Sequence, residues 1–134
     1  MLLNRVITEP YHTVSASLVF KHTNEAYLWY KNVFNPEENM RLIGVDNNVK
    51  YAELCIGDSI LFLSEEKMIY DSSSHVSDKT KQFYLVVENL DKVIRKASEG
   101  GATCIEKKYE DYNGSYFGSF CDPFGYTWML HSYD

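Results

Sequence analysis

Two side chains stand out as groups able to move a proton. Glu53 lies in Tyr51-Ala52-Glu53-Leu54-Cys55-Ile56. Strand alternation puts Tyr51, Glu53 and Cys55 on one face and the apolar Ala52, Leu54 and Ile56 on the other. An acid among aromatic neighbours is expected to have its pKa raised, which suits general acid–base work or the holding of a cation. His131, two residues after Met129, projects from a comparable face of a second hairpin and could serve as a base. The candidate catalytic residues are therefore Glu53 and His131. Each has a plainer reading: Glu53 as a structural acid bonded to Tyr51, Gln82 or a backbone amide, and His131 as a solvent-exposed rim residue. His12, His22 and His75 have no role by position, and no Ser/His/Asp order, phosphate loop or Cys–His pairing is found.

The second chemical feature is an excess of rings. The chain has 11 Tyr, 7 Phe and 2 Trp in 134 residues. Strand alternation places Tyr51, Phe62, Tyr84, Tyr116 and Phe120 on one surface together with Gln82 and Met129. This set is the candidate ligand-binding lining; Trp29, Tyr109 and Tyr112 fall near its edge. A cavity walled by rings with few polar groups suits a flat or amphipathic small molecule. The alternative is a core filled with aromatics, but so many hydroxyls would need partners in a dry interior.

These residues must be positioned by two similar sets of elements. Val14–Phe20 alternates as a half-buried strand. Thr23 or Asn24 is expected to cap a helix carrying Ala26, Tyr30 and Val33, which ends near Asn35-Pro36. Met40–Gly44 and Val49–Ile56 read as strands joined by Asp46-Asn47-Asn48, and Gly57-Asp58 turns the chain into Ser59–Ser64. Residues 65–81 lose periodicity and read as a linker or flap, in which Met68 and Tyr70 could cover something. Then Gln82–Val87 is a strand, Asn89 caps a helix with Val93, Ile94 and Ala97, and Gly100-Gly101 ends it. Thr103–Lys108 and Ser115–Cys121 are strands around a loop at 110–114. Asp122-Pro123-Phe124-Gly125 is a turn into the last strand. Val6 and Ile7 could form a short edge strand.

The halves register when the chain slides by 67 residues: Phe20 on Val87, Ala26 on Val93, Leu61 on Trp128, Leu63 on Leu130. Both then read βαβββ. The expected architecture is α+β, with tandem βαβββ modules forming curled mixed sheets around a cup. A single domain over 1–134 would comprise module one (about 14–64), the linker (65–81) and module two (about 82–132). The same slide puts Tyr116, Gly118, Phe120, Thr127, Met129 and His131 on the cup face of module two, with Gln82, Tyr84 and Val86.

Composition narrows the function classes. A net charge of −6 and the absence of long basic runs disfavour nucleic acid and anionic membranes as partners. No apolar run reaches membrane-spanning length, and the first residues lack a signal-peptide core. Three cysteines without metal-type spacing read as reduced thiols in a cytoplasmic protein.

The tandem repeat resembles a known family. So do the Ala26-x-x-x-Tyr30-Lys31-x-x-Phe34 helix, Tyr51-Ala52-Glu53-Leu54-x-Ile56-Gly57-Asp58-Ser59, and Asp122-Pro123-Phe124-Gly125-Tyr126-x-Trp128. Together they are similar to the vicinal oxygen chelate superfamily of glyoxalases, bleomycin-resistance proteins, fosfomycin-resistance enzymes and extradiol dioxygenases, and within it to the PhnB-like branch. The resemblance covers 14–132. It implies a homodimer and, in metal-dependent members, ligands at positions that here are Ser15, Phe62, Gln82 and Met129. None of these is His, Asp or Glu, so no metal and no cofactor are expected. Two functions follow from the resemblance. One is a metal-free binding protein holding an aromatic or drug-like compound. The other is a glyoxalase-like lyase or isomerase using Glu53, with or without His131.

Overall fold

The computed structural model describes residues 11–66, 81–108, 110 and 114–133. Val6, Ile7, Met68, Tyr70, His75, Tyr109 and Tyr112 lie outside the described residues. The elements run β1 (Ala16–Phe20), α1 (Thr23–Phe34), β2 (Glu37–Ile43), β3 (Val49–Ile56) and β4 (Ser59–Glu65). They continue with β5 (Lys81–Val86), α2 (Leu90–Glu99), β6 (Thr103–Lys108), β7 (Tyr116–Cys121) and β8 (Tyr126–Ser132). The chain divides into two compact units, one carrying β1–β4 and α1, the other β5–β8 and α2. Each unit is βαβββ, and each sheet is four-stranded and mixed. The orders are β1-β4-β3-β2 and β5-β8-β7-β6, with the first pair of each parallel and the rest antiparallel.

In the first unit α1 covers one sheet face. Ala26, Tyr30 and Val33 recur at helical spacing and are buried. They meet a sheet face on which Leu18, Ala52, Leu54 and Leu63 are fully buried. Each buried leucine contributes about 1.5–3 kcal/mol of apolar transfer free energy. His22 rather than Thr23 or Asn24 is the N-cap residue of α1, and its side chain makes no capping bond. Asn24 is used elsewhere: its Oδ1 accepts from the Val49 N–H at 2.9 Å, fixing the start of β3. The helix stops at Asn35, whose left-handed φ of 49° turns the chain towards Pro36. β2 begins at Glu37, three residues before its expected start, because pairing with β3 extends to Cys55.

In the second unit Asn89 caps α2 as expected, its Oδ1 accepting from the Lys92 N–H at 3.1 Å. Leu90, Ile94 and Ala97 are buried towards a face that holds Phe120, Trp128 and Leu130. The turn motif has a specific job here. Asp122 is 4 % exposed, and its Oδ1 accepts from the N–H groups of Phe124 (2.9 Å) and Tyr126 (3.0 Å). Its Oδ2 accepts from the Trp128 indole at 2.9 Å. Asp122, the turn and Trp128 are thus one polar stitch that anchors the core indole.

The two hairpins differ in one residue, and that difference reverses a strand. Ile56 pairs with Ser59 across the two-residue turn Gly57-Asp58. In the second unit the Asp122 N–H donates to the Tyr126 carbonyl at 2.8 Å, closing the three-residue loop Pro123-Phe124-Gly125. Gly125 supplies the positive φ of 98° such a loop needs. β4 and β8 keep the 67-residue register: Ser17 lies beside Phe62 and Tyr84 beside Met129. β3 and β7 do not, because Glu53 faces Phe62 whereas Ser119 faces Met129, an offset of 66. A one-residue slip moves every side chain to the opposite face. Tyr116, Gly118 and Phe120 therefore lie on the α2 face, and the expectation that they line the open face is corrected. Phe120 is fully buried, and a Cβ at Gly118 would meet Leu90 and Ile94 of α2 at 3.4 Å. Phe117, Ser119 and Cys121 take their places.

Candidate functional site

The sheet face opposite α1 carries the best-organised polar group in the first unit. β3 and β4 place Tyr51, Glu53 and Phe62 on it, and their register puts Glu53 directly opposite Phe62. Two residues from outside this hairpin complete the group. Asn39 is the extra residue of a bulge in β2 between Glu38 and Met40. Its Nδ2 donates to Glu53 Oε1 at 2.6 Å. Tyr11, ahead of β1, donates its hydroxyl to the same oxygen at 2.7 Å, and Tyr51 donates to Oε2 at 2.6 Å. Asn39 also donates to the Tyr11 hydroxyl at 3.0 Å. The rings follow suit. Tyr11 and Tyr51 lie nearly parallel to Phe62, at 7° and 20°, with centroids 6.3 and 6.5 Å away.

The electrostatics run against the sequence-based expectation. Glu53 is 4 % exposed. Burial pushes its carboxyl up, but the bonds donated by Tyr11, Tyr51 and Asn39 outweigh burial and hold it below the ordinary glutamate value. The expected upward shift is therefore corrected: this is a carboxylate kept ionised. The tyrosines pay for it in the other direction. The Tyr11 phenol is raised chiefly by its bond to Glu53, and Tyr51 chiefly by burial, then by Glu53.

A second polar group lies on the other side of the first sheet. The Tyr27 hydroxyl donates to Glu38 and accepts from Arg41 Nη1 at 2.8 Å, while Lys31 and Arg41 approach Glu38 at 3.5 and 3.3 Å. This cluster ties α1 to β2 and so holds the bulge that presents Asn39.

In the second unit the open face carries Gln82, Tyr84, Thr127, Met129 and His131. Tyr84 and His131 are brought together: the tyrosine hydroxyl and the imidazole Nδ1 share a hydrogen bond. The imidazole also stacks on Phe117, 4.2 Å between centroids at 10°. His131 is 7 % exposed, not the solvent-exposed rim residue of the plainer reading, and its Nε2 has no partner among the described residues. Met129 and Gln82 are exposed on this face.

The four positions that the family resemblance implies for a metal ion carry side chains that do not suit one. Ser15, Phe62, Gln82 and Met129 offer a hydroxyl, an amide and a thioether, with no imidazole or carboxylate; such a set is too weak or too soft for a hard or borderline divalent ion. Among the described residues no three His, Cys, Asp or Glu side chains converge. Cys55, Cys104 and Cys121 are free thiols, and no described helix is long and apolar enough to cross a membrane.

Sequence reasoning found Tyr51, Glu53, Phe62, Tyr84 and His131 on their open faces but missed Tyr11, Asn39, Phe117, Ser119 and Cys121. The last three were legible in the unequal turn lengths. Tyr11 lies in a stretch without period, and the bulge that offers Asn39 leaves no periodic signal.

Residues 12–130 match the model of the Glyoxalase/Bleomycin resistance protein/Dioxygenase superfamily. No curated protein matches the chain. Among solved structures, TioX from Micromonospora sp. ML1 is similar at a TM-score of 0.65 and 19 % identity, over 90 % of this chain and 99 % of that one. A glyoxalase/bleomycin resistance protein/dioxygenase family enzyme from Burkholderia phytofirmans PsJN gives 0.68 and 18 %, over 88 % and 95 %. The PhnB protein from Bacillus cereus gives 0.65 and 17 %, over 90 % and 99 %. At these identities the likeness is one of fold.

Proposed function

This chain belongs to the Glyoxalase/Bleomycin resistance protein/Dioxygenase superfamily, and on that premise we propose that it is a metal-free small-molecule-binding protein. It holds an aromatic or drug-like ligand against the aromatic sheet face around Glu53. The observation that carries this reading is the state of Glu53. Its oxygens are occupied by Tyr11, Tyr51 and Asn39 and its charge is stabilised, so it is built to stay an anion rather than to take up and release protons near neutral pH. The ring stack of Tyr11, Phe62 and Tyr51 offers the apolar surface a flat ligand needs. The donor chemistry at the ligand positions supports the absence of a metal. Tyr84, Met129 and Gln82 on the open face of the second unit are further ligand-contacting candidates. The protein works as a cytoplasmic homodimer in this reading, which sedimentation at micromolar concentration checks.

The test combines metal analysis with a thermal-shift screen. Freshly purified protein is expected to hold no stoichiometric zinc, nickel, iron or manganese, none of these ions raises the melting temperature, and flat aromatic compounds do. A stoichiometric ion bound at the four positions overturns the reading.

A second reading, a lyase or isomerase, rests on His131. Tyr84 holds its Nδ1, and its buried Nε2 has no partner among the described residues, which leaves that nitrogen uncommitted to the fold. It requires turnover that His131→Asn abolishes with the fold intact; a panel of thiol adducts, epoxides and enolisable acids without turnover removes it.

A further inference from the structure

We propose that the open face of the first unit selects a planar organic cation bearing N–H donors, an aryl amidinium or guanidinium, seated on Tyr11, Tyr51 and Phe62. This rests on the small-molecule-binding reading above and names its ligand class. The first observation is a charge whose partners among the described residues carry no counter-charge. Glu53 is buried, yet its three partners among the described residues are all neutral donors, whereas Glu38, Asp46, Glu65 and Asp91 each meet a lysine or arginine. Buried carboxylates are ordinarily paired with a cation.

The second observation is the direction of the protons. Tyr11 and Tyr51 spend their O–H hydrogens on Glu53. Their hydroxyl oxygens therefore turn lone pairs, not protons, towards anything that approaches. Tyr11 accepts from Asn39 already, which leaves the Tyr51 oxygen the stronger acceptor. A ligand that meets this surface must donate. A carboxylate or a phosphate would face acceptors and a negative charge behind them.

The third observation is the field and shape of the face. Register places Glu37 beside Cys55 on the same side as Glu53, while Arg41 lies beside Ala52 on the α1 side. The Cys55 thiol is pushed up by burial and then by the charges of Glu37 and Glu53, so the face is negative at a point away from the carboxylate itself. The rings of Tyr11, Tyr51 and Phe62 are close to parallel, so a flat cation can lie along them and gain ring–cation attraction.

The experiment is calorimetric titration of the full-length protein with four probes of similar size: benzamidine, benzamide, benzoate and phenyltrimethylammonium. Benzamidine is expected to bind about tenfold or more tightly than benzamide, since a charge-assisted bond is roughly twice as strong as a neutral one. Benzoate is expected not to bind, and phenyltrimethylammonium, a cation without donors, to fall between. Glu53→Gln, checked by circular dichroism for an intact fold, should abolish the preference for benzamidine over benzamide. Phe62→Leu should weaken benzamidine and phenyltrimethylammonium together. Should Glu53→Gln fail to fold, the wild-type series decides alone. Equal binding of benzamide or benzoate overturns the cation inference and leaves the small-molecule reading standing. Tighter binding of phenyltrimethylammonium than of benzamidine overturns the requirement for donors. If none of the four binds while the thermal-shift panel yields ligands, this inference alone fails; if the panel is also empty, both fail.

Discussion

Replacing Asp122 by Asn tests whether the Asp-Pro-Phe-Gly motif is a structural stitch. The native carboxylate accepts three bonds: two from backbone N–H groups on Oδ1 and one from the Trp128 indole on Oδ2. Asparagine keeps one carbonyl oxygen, which can serve the two backbone donors. Its NH2 then meets the indole N–H, donor against donor, where Asp122 is 4 % and Trp128 2 % exposed. One hydrogen bond to a charged group is lost, worth about 1.5–3 kcal/mol, and a buried indole N–H is left without this acceptor at a cost of about 1 kcal/mol more. The expected loss is about 3 kcal/mol, or roughly 10 °C in melting temperature for a chain of this length. Urea unfolding followed by tryptophan fluorescence measures it. Trp128→Phe in the Asp122→Asn background removes the donor clash, so the double-mutant cycle should return a coupling of about 1.5 kcal/mol or more. A loss below about 0.5 kcal/mol, or a coupling near zero, refutes the assignment of the carboxylate to the indole.

The register of β7 can be tested by size. Gly118→Val is expected to cost about 2 kcal/mol by driving into Leu90, Ile94 and the Glu106 carbonyl, whereas Ser119→Val on the open face should cost less than about 0.5 kcal/mol; urea midpoints compare them. Glu53 sets a pH dependence. Its folded-state pKa lies below the unfolded value of about 4.3, so its contribution is complete above that value and is lost as pH falls through the folded pKa. The stability gap between wild type and Glu53→Gln should therefore close in acid, as unfolding at a series of pH values would show. The raised phenols of Tyr11 and Tyr51 act at the other end: stability present below about pH 10 is lost above it, and Tyr51→Phe should flatten that alkaline limb. Tyr27→Phe removes the hydroxyl that joins Glu38 to Arg41; a loss of about 1–2 kcal/mol is expected from the same unfolding assay.

Most of the architecture was legible because both periods were clean. Alternation in 51–56 and 59–64 identified the strands of the first hairpin, and the Gly57-Asp58 turn gave their register correctly. The Asn89 cap and the Gly100 stop bounded α2, since capping chemistry is local. Asn24 shows the limit of local rules. It has the right chemistry to cap α1, but β3 brings the Val49 N–H within its reach, and that distant bond took its side chain.

The candidate site was half legible. Alternation alone identified Tyr51, Glu53 and Phe62 as neighbours on one face. It could not give the sign of the Glu53 shift, because burial and donated hydrogen bonds oppose each other and the donors had not been placed. Tyr11 reaches Glu53 from 42 residues away in sequence, and Asn39 reaches it from a bulge, so only the folded chain shows that the bonds win. Likewise, a single extra residue in the turn after Asp122 is present in the sequence, but its consequence is not local. It moves Phe120 under α2 and Ser119 onto the open face, because a strand has two faces and pairing with β8 selects between them. The sequence by itself determined which elements form, their order, and the residue types at the four positions that the resemblance marks for a metal. Tertiary structure decided which residues share a face and which charge survives there, since both depend on partners brought together only when the strands pair.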